Sequence, residues 1–326
     1  MTATKALLPN AARPRVGAAQ SPLRVAHHLR GSSLNRALDV VGDWWTQRIL
    51  RECFLGVRNF EAMQSNLAVP RQTLSTRLKL LVAHGILDTA RGDYRLTECG
   101  RALYPWALMV WAWTTKWGGG SDARHPLVLT HSECGRAMRP LFACGACGEE
   151  VDVRDVEVRD APGVRLVAPV NAAGDRRWAA GRFVLNPREG GRHIAFVTAD
   201  RWSHLILSAV FLGCRWFDVL ARETGAATNI LTHRLGLLIA AGFLEKRRLA
   251  ADGRRFDYAL TDRGRDIYPL TITLVQWADR WLPKKGGAPM LRVHRRCGAP
   301  LDARVTCSAC GEELLPQRVC FSLPPA

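Results

Sequence analysis

Apolar residues recur at helical spacing through residues 35–84 and again through 97–117, with two short alternating runs between them. Asn35–Val41 and Trp45–Phe54 predict two helices, the second ended by Gly56. Phe60–Leu67 predicts a third, short one, and Val69–Pro70 turns the chain into a fourth over Arg71–His84. There Leu74, Leu78, Leu81 and Val82 fall at i, i+4, i+7 and i+8 on one face. Gly85 stops that helix. Ile86–Thr89 and Asp93–Leu96 read as two short strands, and Thr97 as the N-cap of a long closing helix that carries Trp113 and Trp117. Helix, turn, helix, hairpin, helix is the order of a winged helix-turn-helix.

The pattern occurs twice. Asp43–Glu61 (DWWTQRILRECFLGVRNFE) laid over Asp200–Asp218 (DRWSHLILSAVFLGCRWFD) is identical at nine of 19 positions. The register continues through Leu74/Leu231, Arg77/Arg234, Leu78/Leu235 and Gly85/Gly242, then through Thr97/Thr261, Trp113/Trp277 and Trp117/Trp281. A fixed-period match of this length marks a tandem duplication. The expected fold is mainly α with small β. Two winged helix-turn-helix domains, at 32–118 and 192–285, are each followed by a small Cys-rich, zinc-ribbon-like module, at 119–151 and 286–326. A basic, disordered arm (1–31) precedes them, and a linker (152–191) joins the copies. Val164–Val170 in the linker has strand-like composition.

The cysteines add metal chemistry. His131-x2-Cys134-x9-Cys144-x2-Cys147 recurs as His294-x2-Cys297-x9-Cys307-x2-Cys310. Two close pairs of soft ligands across a short loop suit a tetrahedral Cys3His site, so each module is expected to close its own structural zinc ion, two in all. Dithiol redox chemistry and a metal-free ribbon are the competing readings. The βαβ context of a CxxC oxidoreductase is missing. Cys53, Cys99, Cys214 and Cys320 have no counterpart in the other copy and read as ordinary buried thiols.

Charge narrows the partner. The chain of 326 residues carries 46 Lys+Arg against 29 Asp+Glu, a net +17 that favours polyanions. By segment the net charge is +5 for the arm, +4 and +6 for residues 32–118 and 191–285, 0 for 119–190 and +2 for 286–326. Apolar runs such as Tyr104–Trp113 fall well short of the roughly 20 residues that cross a bilayer, and no signal pattern opens the chain. A cytoplasmic, nucleoid-associated protein with no membrane partner is the expectation. No P-loop, no strand-to-helix GxGxxG and no HExxH helix is present, so neither an enzyme nor an organic cofactor is expected.

These residues carry a family resemblance. RALDVVGDWW, ILRECFLGVRNFE, TLSTRLKLLVAHGIL and YRLTECGRALYP resemble the signature blocks of the HxlR family, bacterial transcriptional regulators related to the MarR group. The resemblance covers residues 33–117 and 193–282, and the HxxCG…CxxCGE tail also resembles one found behind many such domains. It implies DNA binding, dimeric docking on paired half-sites and transcriptional control. The family commonly has a cysteine at the start of its first helix; here Ser32 or Ser33 stands there, and His193 or a neighbour in the second copy. That speaks against thiol-based sensing at this place.

With Leu74 at the centre of the buried face, Gln72, Thr76 and Lys79 fall opposite, flanked by Thr73 and Ser75. The second copy offers Asn229, Thr232, His233 and Gly236 on the same face. Short polar side chains suit base edges and phosphates, and Gln72 and Asn229 can pair bidentately with adenine. Arg77 and Arg234 sit beside the apolar face, as structural ion pairs or as phosphate clamps. The first wing offers Arg91 and Arg95. The second offers Arg247, Arg248, Arg254 and Arg255 around Ala250–Gly253, placed for phosphates or a narrow minor groove. The tryptophans at i, i+4 predict core or helix–helix packing. Whether the two copies form an intramolecular pseudo-dimer, two independent beads or part of a homodimer stays open. An adaptor in which one copy binds protein instead of DNA is the alternative function, and any small-molecule effector is unknown.

Overall fold

A computed structural model describes residues 29, 31–118, 128–160, 190–248, 256–282 and 290–322. The basic arm, apart from Leu29 and Gly31, and the Val164–Val170 run lie outside these.

Local capping sets the helices of the first unit. Ser32 caps α1 (Ser33–Val41), accepting from the Asn35 N–H at 3.2 Å. Asp43 caps α2 (Trp44–Phe54) through the Trp45 and Thr46 N–H groups, both at 3.1 Å. Asn59 caps α3 (Phe60–Leu67), and α4 (Arg71–Ala83) starts directly after Pro70. β1 (Leu87–Ala90) and β2 (Asp93–Leu96) form the wing. Arg91 and Gly92 at its tip both have positive φ, the signature of a type I′ turn.

The long closing helix departs from expectation. Thr97 caps only the short α5 (Glu98–Arg101), and α6 (Tyr104–Trp117) begins separately with a proline in its first turn. Pro105 has no N–H to offer the Arg101 carbonyl, so a continuous helix would lose a bond and meet the ring. Gly100 is fixed by contact: a Cβ there would strike the Ile86 carbonyl oxygen.

The second unit repeats this with α7 (Gly190–Thr198), α8 (Arg201–Phe211), α9 (Phe217–Thr224), α10 (Thr228–Ala240), the wing β7 (Leu244–Arg248) and β8 (Phe256–Leu260), α11 (Asp262–Arg265) and α12 (Tyr268–Trp281). Asp200 caps α8, Thr261 caps α11, and Gly264 lies against the Phe243 carbonyl as Gly100 does against Ile86. Among the described residues no helix is long and apolar enough to cross a membrane.

The two units pack on each other through equivalent elements: α1 lies along α12, α7 along α6, and α6 against α12. The polar ties repeat as well. The Trp113 indole N–H donates to the Arg263 carbonyl at 3.1 Å, and that of Trp277 to the Cys99 carbonyl at 3.0 Å. The tryptophans are therefore helix–helix packing residues, as their spacing predicts. Where the copies differ, one tie is lost: Trp117 donates to Asp266, whereas the buried Trp281 indole nitrogen has no hydrogen-bond partner among the described residues. Ala102 occupies the position in the first copy that Asp266 holds in the second. Gln47 and Thr198 exchange two hydrogen bonds at 2.7 and 2.8 Å, and Arg201 pairs with Asp39 at 2.8 Å, all across the same boundary.

The Cys-rich modules are not self-contained. Their strands are β3 (Val128–His131), β4 (Arg136–Ala137), β5 (Pro140–Cys144) and β6 (Val156–Asp160) in the first copy, and β9 (Met290–His294), β10 (Ala303–Cys307) and β11 (Val319–Ser322) in the second. Apart from the small β3–β4 turn and single bridges such as Ala143 to Glu150, the strand pairings among the described residues cross between copies: β3 with β11, β6 with β9, and β5 with β10. The last has Phe142 opposite Val305, so equivalent strands run antiparallel about their own midpoint. β6 falls within the segment expected as linker; residues 156–160 are instead the outer strand beside β9.

Candidate nucleic-acid interface and metal centres

On α4, Leu74, Leu78 and Leu81 are fully buried, and Leu231, Leu235 and Leu238 are their counterparts on α10. This orients the polar face outward. Gln72, Thr76 and Lys79 are exposed, with Thr73 and Ser75 half-buried beside them. On α10, Asn229, Thr232 and His233 are exposed, and a Cβ added at Gly236 would meet open space. Thr76 bonds back to the Gln72 carbonyl at 2.8 Å, which leaves the Gln72 amide and the Lys79 ammonium as the long hydrogen-bonding arms of its face. His233 Nδ1 lies 3.3 Å from an Arg234 guanidinium nitrogen.

Arg77 and Arg234 are ion-paired in the same way. Arg77 reaches Asp43 at 3.2 Å and Arg234 reaches Asp200 at 2.9 Å, and these aspartates are the N-caps of α2 and α8. Arg234 and Asp200 are only 11% and 12% exposed. Each carboxylate therefore caps one helix while holding the second helix after it, α4 or α10, which fixes the angle of the candidate recognition helix. Of the two readings left open for these arginines, the ion pair is the one the geometry shows.

The wings differ in charge. In the first, Arg95 lies 3.8 Å from Asp93, and Arg91 occupies the tip. In the second, Arg247 pairs with Glu245, and Arg248 ends β7 opposite Phe256. Arg254 and Arg255, with the Ala250–Gly253 tip, lie outside the described residues. Two cations were missed by the sequence reading. Lys246 in the second wing sits 3.8 Å over the Phe256 ring, and exposed Arg71 opens α4 with its guanidinium 4.8 Å over Phe60. Arg71 had a signal, since it directly follows the proline that starts the helix.

The metal ligands regroup. Each Cys3His set was expected within one module. The structure instead brings His131 and Cys134 together with Cys307 and Cys310, and Cys144 and Cys147 together with His294 and Cys297. Each cluster is half from each copy, with its ligand atoms all within 4.8 Å of one another. The reason is the strand exchange: β3 delivers its His-x2-Cys turn beside the neighbour's Cys-x2-Cys turn, because β10 pairs with β5 and β11 with β3.

The geometry suits a tetrahedral ion. Cys134 and Cys307 sulfurs are 4.0 Å apart, Cys144 and Cys297 are 3.9 Å apart, and His Nδ1 to sulfur distances are 3.3–3.4 Å. A zinc tetrahedron with its usual bond lengths has S···S edges of about 3.8 Å and S···N edges of about 3.5 Å. Both imidazoles are fully buried, and their Nε2 atoms find no hydrogen-bond partner among the described residues, so Nδ1 is the nitrogen aimed at the cluster. Burial opposes ionisation of Cys144, yet the Cys147 and Ala146 N–H groups outweigh it and bring that thiol below its ordinary value. At Cys147 the Glu149 N–H favours the thiolate, but desolvation and the neighbouring Cys144 sulfur push the thiol up. Crowded thiolates of this kind require a cation to ionise together.

The remaining cysteines fall into two kinds. Cys53, Cys99 and Cys214 are half-buried rather than buried, and burial still pushes Cys53 up to about 12 and Cys214 to about 11 and raises Cys99. Cys320 departs from the expected burial: it is exposed on β11, 3.5 Å from the Ser132 hydroxyl.

Comparisons with known proteins find the winged unit in both halves of the chain. The HxlR-like helix-turn-helix family matches residues 40–122 and 197–286. An uncharacterized HTH-type transcriptional regulator of Mycobacterium tuberculosis, Rv3095, is 38% identical over 148 residues, covering 43% of this chain and 93% of that protein. A second from Synechocystis, sll1512, is 30% identical over 95 residues, covering 29% of this chain and 70% of its own length. A third, YvaP of Bacillus subtilis, is 25% identical over 87 residues, covering 26% and 81%. Two matched regions, each spanning the helix-turn-helix and the wing of one unit, lead to one conclusion: the chain belongs to the HxlR-like helix-turn-helix family of DNA-binding transcriptional regulators and carries that domain twice.

Proposed function

We propose that this chain is a sequence-specific regulator that reads duplex DNA with both winged units at once, as an intramolecular pair working in the cytoplasm on the nucleoid. α4 and α10 enter successive major grooves. Gln72, Thr73, Ser75, Thr76 and Lys79, and Asn229, Thr232 and His233, face bases and phosphates there. Arg91, Arg95, Arg247, Arg248, Arg254 and Arg255 on the wings hold phosphates or enter the minor groove. Arg77 and Arg234 act one step back, setting the helix angle through the cap aspartates. The observation that carries this reading is the pair of equivalent helices with apolar faces sealed and polar faces exposed, on two units packed through equivalent ties. Zinc is the ion assigned to the two Cys3His clusters. All four positions of each tetrahedron are filled by protein, so its role is structural.

Selection of binding sites from random duplexes tests the reading. Two half-sites spaced by about one helical turn, or a multiple of it, are expected. A single enriched half-site would mean that one copy has become an adaptor, and no enrichment would overturn the regulator reading.

A further inference from the structure

Each ligand cluster takes His-x2-Cys from one copy and Cys-x2-Cys from the other. We infer that two zinc ions, one per cluster, clamp the two winged units to each other, and that recognition of a paired half-site depends on them. The inference deepens the DNA-binding reading above and rests on it.

The argument is one of connectivity. Neither copy can complete a centre alone, so an ion bound at either cluster is a link between copies as well as a fold element. The clusters sit among three small sheets, where β5 and β10 rest against α6 and α12 and Phe142 meets the Tyr268 ring edge-on at 6.3 Å. Those two helices carry Trp113 and Trp277, which reach the short helix behind the wing of the opposite unit. A path of packed side chains therefore runs from each ion to both wings. Around the ions the further ties between the knuckles are ion pairs at the surface and single backbone bonds: Arg296 pairs with Glu149 at 2.6 Å and Arg318 with Glu133 at 3.2 Å, the Gly145 N–H donates to the Asp302 carbonyl at 2.7 Å, the Ser132 N–H to the Arg318 carbonyl at 2.8 Å, and Arg139 and Ser308 exchange two bonds at 2.9 and 3.1 Å. Exposed ion pairs of this kind contribute little. Without metal, the strand exchange is held by these bonds and by pairings of two or three short strands, and two-stranded pairings are marginal by themselves.

Metal counting on full-length variants decides whether the centres are shared. Native protein purified with zinc is expected to hold two ions per chain. Cys134→Ser with Cys310→Ser removes two ligands of one cluster and should leave one ion. Cys134→Ser with Cys144→Ser touches both clusters and should leave none. Centres confined to single modules would give the reverse order, none for the first variant and one for the second, and that result overturns the inference, as does native protein without metal. For the clamp, binding is read on a paired half-site duplex and on one carrying a single half-site, with circular dichroism confirming that helices remain. The metal-free variant should bind the paired duplex about tenfold or more weaker than native protein, because the second unit, though still tethered, is no longer held at one separation and phase and its effective concentration at the second half-site falls. Its affinity for the single half-site should stay close to native. If the variant fails to fold, native protein stripped with a chelator and resupplied with zinc must lose and regain the paired-site preference. Unchanged paired-site affinity without metal overturns the clamp. If native protein binds neither duplex, the DNA-binding reading fails and the clamp with it, while the metal counts still decide the shared centres.

Discussion

Arg234 is a residue whose role follows from what it touches. It is buried against Asp200, which also caps α8 through the Ser203 N–H at 2.8 Å. Removing the guanidinium strands a carboxylate at a position that excludes water, so Arg234→Met should destabilise the protein by about 3 kcal/mol. Arg77→Met should cost about 1 kcal/mol, because Arg77 is 34% exposed and solvent screens its pair. Chemical denaturation of both variants measures this; equal losses, or DNA affinity lost at full foldedness with a shallower salt slope, would reinstate the phosphate clamp. Asn229→Ala removes an exposed side chain, so stability should stay within about 0.5 kcal/mol of native while specificity at one base position relaxes by about 1–3 kcal/mol. His204 gives the opposite kind of case. It is fully buried, its Nε2 shares a 3.0 Å hydrogen bond with Thr271, and desolvation lowers its pKa from 6.5 to about 4. The folded chain keeps this ring neutral while the unfolded chain protonates it, so its stabilisation is complete above pH 6.5 and falls as pH drops toward 4. Between pH 7 and pH 5 the loss is about 2 kcal/mol. His204→Gln, the residue that the first copy carries as Gln47, should abolish that component when ΔG of unfolding is compared at the two pH values.

At the scale of elements, what the sequence made legible were features fixed by neighbours in the chain. Leu74, Leu78 and Leu81 are buried as their spacing requires, and Thr97 and Thr261 cap helices as their hydroxyls allow. The break between α5 and α6 was also encoded, in Pro105 and Pro269, but the apolar period runs through it and hides it. The exchange of ribbon strands was not legible at all. The His-x2-Cys and Cys-x2-Cys spacings are the same in both copies, so either pairing satisfies them, and only the alignment of β5 on β10 decides. The wings extend the contrast between copies: the first has one arginine offset by Asp93, whereas the second adds Arg254 and Arg255 beyond Arg248. Replacing Arg254 and Arg255 together by alanine should weaken DNA binding and flatten the dependence of log K on log salt by about one to two units, as two phosphate contacts would. Replacing Arg91 and Arg95 should change the slope less. Titrations at several salt concentrations read both, and an unchanged slope in the first variant removes the second wing from the interface.

For the whole molecule, the net charge of +17 says only that the partner is a polyanion, and its concentration on the arm and the two winged units says that the partner meets both. What the charge cannot specify is whether the units act together. The structure answers through α1 on α12, α7 on α6, the paired tryptophan ties and the exchanged sheet, which leave no hinge between the units among the described residues. A pair held this way presents its recognition helices at one separation and one rotational phase. Inserting five base pairs between the two selected half-sites turns the second through about half a helical turn, onto the opposite side of the duplex. Affinity should then fall to that of a single half-site, a loss of about a hundredfold or more if each unit contributes comparably. Inserting ten base pairs restores the phase but lengthens the span by about 34 Å, and should not restore binding. Two beads on a tether would tolerate both insertions with small losses, so the ten-base-pair duplex separates the two architectures. Complex mass should meanwhile correspond to one chain on the native paired site, since the two halves that reads would come from the same polypeptide.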